Sequence, residues 1–256
     1  MAAGPSPEAL ERLRQTIRTG QGFGEQVSIS LGVPSLDQRL GGGLARGALH
    51  EIAAAGPVHI AAASGFALAL AVRARERPKA TLLILPDLVG YEGGCFYGPG
   101  LDLFGLPAAR LVILRAPRMR DAMLAMEEAL KCRALSCVIA EIGADEADLT
   151  ATRRLSLAAR DNGGFGILVR HRRSAVASAA ATRWTVAAAS GPLDRFGGIG
   201  KTAFRVALAK NRRGSCGEYL LIWNHHDGTF VRAADPVGLA APASDRSDRA
   251  ALAVAY

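Results

Sequence analysis

The apolar positions of this chain fall into short runs separated by longer stretches of helical period. Residues 48–54, 81–85, 110–115, 136–141 and 165–170 are each short and largely apolar, with Pro, Gly, Asn or Asp close by. That pattern predicts buried strands. Between them lie three helices. A small-residue helix opens near Ser64-Gly65. Residues 119–133 place Met123, Met126, Ala129 and Leu130 on one face. Residues 148–161 run into the stop Asn162-Gly163-Gly164. After residue 183 the pattern changes. Residues 183–189, 203–210, 218–223 and 230–232 are strand-like with no helix between them, and His225-His226-Asp227-Gly228 reads as a hairpin turn. Strand–helix alternation builds a parallel sheet covered on both faces, and consecutive strands build an antiparallel one. The expected fold is α/β: a mostly parallel central sheet flanked by helices, with antiparallel strands at its C-terminal end.

The two ends differ from this core. Residues 7–19 predict a helix capped by Ser6, with Pro7 in its first turn and Leu10, Leu13 and Ile17 on one face. Gly20, Gly22 and Gly24 make a loose tether behind it, so residues 1–24 form an appendage to a domain spanning 25–235. The helix either docks on another molecule or folds back on its own domain. Residues 236–256 are rich in Pro, Ser, Asp and Ala and predict a mobile tail.

Composition narrows the class. With 256 residues, half of them hydrophobic, the chain can bury one sizeable core. No apolar run reaches membrane-spanning length; the longest, residues 60–72, is short and alanine-rich. Four cysteines form no CxxC pair, and the N-terminus has no signal-peptide core; free thiols in the cytoplasm are the expectation. His225-His226-Asp227 sits in a tight turn whose side chains point apart, so no metal is expected. The net charge is +8 and the pI about 9.8, which permits contact with nucleic acid or an acidic partner.

The stretch from 31 to 74 carries the chemistry. A strand, a glycine-containing loop and a helix follow one another, the arrangement in which proteins hold nucleotide phosphates. A working loop reads G-x-x-x-x-G-K-[ST], with glycines for backbone approach, Lys for charge and a hydroxyl for Mg²⁺. Here Gly56 and Gly65 stand too far apart, and after Ser64-Gly65 the Lys and hydroxyl positions hold Phe66 and Ala67. Gly200-Lys201-Thr202 imitates the end of such a loop, but Arg195 stands where its partner glycine belongs. No cofactor is expected.

In order along the chain come PSLDQRLGGGL, HEI, the dismantled loop in AAASGFALALA, GLDLFGL, KNRRG and a terminal hairpin. This series resembles the ImuA family, RecA-like accessory proteins of the bacterial mutasome. The match covers most of the chain, from about residue 30 to 231. The resemblance implies a RecA-like core without ATPase activity, acting in SOS-induced error-prone translesion synthesis. It implies three partners: an ImuB-like Y-family protein, an error-prone C-family polymerase, and RecA. A RecA-like ATPase with an atypical loop and a SulA-like cell-division inhibitor are the alternatives.

Basic residues supply a possible DNA face. Arg170, Arg172 and Arg173 follow a strand where recombinases carry a DNA loop, and Lys210, Arg212 and Arg213 lie in the KNRRG turn. If the six converge, DNA binding is weak, sequence-independent and salt-sensitive. Otherwise they are a solvated charge run. Tyr91, Phe96, Tyr97 and Phe104 lie among glycines at 91–106. They either stack on a ligand or tuck against the core.

Overall fold

The computed structural model describes residues 27–87, 96–143, 147–192 and 200–233, with Glu8 besides. The appendage residues Leu10, Leu13 and Ile17, the tail 236–256 and Tyr91 lie outside the described residues. In chain order the first elements are β1 (Ser28–Ile29), α1 (Pro34–Arg39), β2 (Leu44–Ala45), β3 (Ala48–Ala54) and α2 (Ile60–Ala74). Then come β4 (Ala80–Pro86), α3 (Gly98–Phe104), β5 (Leu111–Ala116), α4 (Met119–Leu130), β6 (Leu135–Ile142), α5 (Leu149–Asn162) and β7 (Phe165–Arg170). The last four are β8 (Thr182–Ala189), β9 (Ala203–Asn211), β10 (Gly217–Asn224) and β11 (Thr229–Arg232).

Nine strands form one sheet in the order β11-β10-β9-β8-β3-β7-β6-β4-β5. From β8 to β5 every neighbouring pair is parallel. From β8 to β11 every pair is antiparallel. This is the predicted α/β arrangement. Strands joined through helices must return to the same sheet end, whereas the short connections after β9 and β10 reverse the chain.

α2 covers one face, over a core that includes Ile52, Ile139, Ile167, Trp184, Phe204 and Trp223. α4 and α5 cover the other, over Leu49, Ile84, Val138 and Leu168. α2 is Ala, Leu and Val apart from Ile60, Ser64, Gly65, Phe66 and Arg73, and most of it is buried. With the 3-10 turn before it, the stretch 57–74 is long and apolar enough to cross a membrane by length and composition. This corrects the expectation that no run is so long; here the helix packs on the sheet instead. α5 begins with Asp148 accepting from Ala151 N at 2.7 Å and ends on Gly163 at φ 69°, the stop its sequence announces.

α1 and α3 escape a reading based on period because each is only six or seven residues long. α1 is fixed by its neighbours. Asp37 Oδ1 accepts from Leu31 N at 2.8 Å and Oδ2 from Ser30 Oγ at 2.8 Å. Gly43, at φ 124°, needs to be glycine: a Cβ there would lie 2.3 Å from Ile29 O.

β3 carries two buried polar side chains on opposite faces. His50 Nε2 lies 3.0 Å from Ala45 O; a carbonyl only accepts, so Nε2 holds the proton. Nδ1 then accepts from Thr182 Oγ1 at 2.8 Å, and Trp184 Nε1 donates to the same hydroxyl at 2.8 Å. The relay is complete only with a neutral ring. Burial, the larger influence, drives the His50 pKa down to about 4, against a smaller upward pull from Ala45. On the other face Glu51, 1% exposed, lies 3.1 Å from Arg170 Nε, which is fully buried. Arg183 donates to the same Glu51 oxygen at 2.9 Å. One carboxylate thus ties β3 to both parallel neighbours.

Two outcomes follow. The unfolded His50 titrates near 6.5 and the folded one near 4, so the unfolded chain takes up a proton the folded state refuses. This contribution, about 3 kcal/mol, is fully present above pH 6.5 and is lost as pH falls towards 4. Urea unfolding across that window shows the decline, and His50→Gln, which cannot titrate, flattens it. Glu51→Gln leaves buried Arg170 without its counter-charge and lowers unfolding free energy by about 3–5 kcal/mol, against about 0.5 or less for exposed Arg173→Gln. Equal values for the two variants would refute this role.

Candidate functional site

The connection from β3 to α2 is five residues, Ala55 and Gly56 followed by the 3-10 turn Pro57–His59. Pro57 suits the first position of that turn, and His59 N donates to Gly56 O at 2.9 Å. Ala55 N donates to Val186 O at 2.8 Å, and His59 Nδ1 accepts from Ala188 N at 3.2 Å. Both ends of the connection are therefore tied to β8.

This geometry corrects where the loop stands. The helix opens at Ile60, not near Ser64-Gly65. Ser64 lies one turn inside it, buried, its Oγ donating to Ile60 O at 3.2 Å. A Cβ on Gly65 would touch the Phe204 ring at 3.5 Å. Phe66 is fully buried, its ring centroid 5.7 Å from Trp184, 5.7 Å from Phe204 and 5.4 Å from Phe230. Ala67 is buried beside them. None of these four lines the connection. Counting from Gly56, the loop pattern falls on residues 56–63, with Ala61, Ala62 and Ala63 where its second glycine, Lys and hydroxyl would stand. The shift has a simple cause: alanine is the best helix former, so the residues after Pro57 wind into helix.

The six basic candidates do not form one face. Arg170 is inside the core, bound to Glu51 and donating to Ala147 O at 2.7 Å. That corrects its reading as a DNA contact, since a charge paired with a buried carboxylate cannot reach a phosphate. Lys210 and Arg212 hold the segment 171–181, which has no helix or strand of its own. Lys210 Nζ donates to Ser178 O at 2.6 Å, and Arg212 donates to Ala179 O and Ala181 O. Arg183 joins them, donating to Ser174 O at 2.8 Å and Val176 O at 3.3 Å. Burial, helped by the charges of Arg212 and Arg183, moves the Lys210 pKa down. Arg213 donates to Gly41 O and Ser28 Oγ, and Asn211 Nδ2 to Arg39 O. The KNRRG turn therefore clasps the LGGG turn. Arg172 and Arg173 stand exposed at the start of 171–181.

Other candidates resolve into packing. Phe104 stacks on Trp223 at 5.5 Å, and His225 meets both rings edge-on. His225 also lies 3.2 Å from Thr202 Oγ1, and burial lowers its pKa. Phe96 packs against the core, whereas Tyr97 is exposed. Among the described residues no cluster of three or more His, Cys, Asp or Glu is placed to hold a metal.

Sequence period missed one feature. β5 is the last strand of the sheet, and its consecutive Val112, Ile113 and Leu114 are 49, 47 and 39% exposed. Strand side chains alternate, so Ile113 is bare on one face and Val112 and Leu114 on the other. Separately, a groove of about 440 Å³ between α4 and α5 is lined by Met119, Met123, exposed Leu124 and Leu155. A run of aliphatic residues reads as core until a strand order shows it at an edge.

No family model matches the chain. Two curated relatives do, both named Protein ImuA, from two strains of Caulobacter vibrioides (NA1000 / CB15N, and ATCC 19089). Each is 33% identical over 214 residues, covering 75% of this chain and 82% of its own length. Agreement at that level over three quarters of the sequence means that the chain belongs to the ImuA family.

Proposed function

We propose that this protein is a non-catalytic accessory factor of error-prone translesion DNA synthesis, working through protein contacts in the cytoplasm. Its partners in this reading are an ImuB-type Y-family protein, an error-prone C-family polymerase and RecA. The observation that carries the non-catalytic part is the make-up of the five-residue connection between β3 and α2 and of the helical turn after it. A phosphate-binding loop exposes a ring of backbone N–H groups and a Lys. Here Ala61, Ala62 and Ala63 take those positions, and Ala63 is buried. The apolar end of the sheet supports the contact part. Edge strands of monomeric proteins are usually short, charged or covered, and β5 is none of these at Val112, Ile113 and Leu114.

Titration calorimetry with ATP and Mg²⁺ is expected to give no binding heat at physiological nucleotide concentration. Micromolar affinity would restore the ATPase reading. For the contact, Ile113→Asp is expected to keep the melting temperature within a few degrees, because the residue is half exposed. The same variant loses ImuB-type partner and polymerase when a tagged copy is recovered from DNA-damaged cells. Recovery of both at wild-type levels would remove β5 from the interface.

A further inference from the structure

At the N-terminal ends of β4 and β5, the sheet end away from the Ala55–Gly56 connection, lies a pocket of about 270 Å³. Its walls are the segment after α2 (Arg75, Arg77 and Lys79) and the segment before β5 (Pro107, Ala109 and Arg110). Four of the six lining residues are cations.

Two of the guanidiniums are anchored across the pocket. Arg75 Nη1 donates to Gly105 O at 2.6 Å, and Arg110 Nη1 donates to Pro78 O. Each bond uses one of five N–H groups and leaves the rest of a planar fork. Lys79 is bound to Glu76 at 2.5 Å. That carboxylate is shared with Arg46, at 2.9 Å. Among the described residues Arg77 is exposed and makes no hydrogen bond or ion pair. Four cations thus face one carboxylate that a fifth cation also engages. Like charges gathered on one pocket repel; Arg75 and Arg110 are held there by carbonyls and Lys79 by Glu76, while Arg77 has no partner among the described residues.

The missing counter-charge has a definable chemistry. Three of the four cations are guanidiniums, whose forks match pairs of phosphate oxygens. A phosphate offers several anionic oxygens to cations converging from two walls, whereas a side-chain carboxylate offers only two. We infer that this pocket is a phosphate-binding site, taking either a backbone phosphate of single-stranded DNA or a small free di- or polyphosphate. It needs neither the adaptor role nor Arg172 and Arg173.

The test uses the purified full-length protein. Anisotropy reads binding of a labelled single-stranded oligothymidylate across a salt series, and calorimetry reads inorganic pyrophosphate. Arg77→Glu is expected to weaken at least one of them about tenfold or more. If that ligand is the oligothymidylate, the salt slope falls by about one. Arg77→Gln is expected to give a smaller loss, with an unchanged melting temperature for both variants. Loss on the oligothymidylate alone identifies a nucleic-acid backbone; loss on pyrophosphate alone identifies a free phosphate compound. Both outcomes support the site. The inference is overturned if neither anion binds. It is also overturned if Arg153→Glu on α5 weakens binding equally, which would mean a diffuse field. Polyglutamate binding as tightly, with the same dependence on Arg77, would overturn it too by making the site one for acidic peptides.

Discussion

Phe66 lies among Trp184, Phe204 and Phe230, with centroid distances of 5.4 to 5.7 Å, and this contact sets how α2 rests on the sheet. A large ring at the centre of the helix anchors it to β8, β9 and β11 together. Alanines at 63, 67, 69, 71 and 74 let the remaining turns approach closely. Close-packed interiors tolerate few voids, so a helix seated this way fixes where the connection from β3 must end. A phosphate loop needs backbone N–H groups that stay open to a ligand. In this chain the five-residue connection is a short turn tied at both ends to β8.

The cations follow a similar logic. A segment such as 171–181, without helix or strand, leaves carbonyl groups that need donors. Arg183, Lys210 and Arg212 provide them, and Arg213 does the same for the glycine turn at 41. Arg170 goes further and enters the core, which is possible only because Glu51 meets it there. Much of the positive charge near the C-terminal half of the sheet is therefore structural. The group Arg75, Arg77, Lys79 and Arg110 beside the N-terminal ends of β4 and β5 differs in that Arg77 has no partner among the described residues.

A sheet of nine strands must end somewhere, and its two ends are treated differently. At β11 the edge strand is short and carries Arg232 beside the Tyr219 ring. At β5 the edge strand is aliphatic and bare on both faces. Water-exposed aliphatic area of this kind costs free energy that a partner recovers by covering it. The groove between α4 and α5 is a second partly apolar surface, and the Glu127–Arg154 ion pair at 2.6 Å bridges the two helices along it.

The alternation of apolar runs with helical periods gave the strands of the parallel sheet, helices α4 and α5, and the antiparallel end, because each rests on local period and turn chemistry. The sequence shows no G-x-x-x-x-G-K-[ST] in this stretch, but the positions it assigned to the missing Lys and hydroxyl, Phe66 and Ala67, lie inside the helix. Other features were decided only by tertiary packing. The loop register depended on where helix begins, and alanine-rich sequence does not mark that point. Arg170 looks the same in sequence as Arg172, and only its strand position beside Glu51 puts one in the core and leaves the other outside. His50 and Glu51, adjacent in HEI, point to opposite faces and need Thr182, Ala45, Arg170 and Arg183 to be understood. The aliphatic run 111–114 reads as core in any local window. Its exposure comes from being last in a strand order that long-range pairing alone determines.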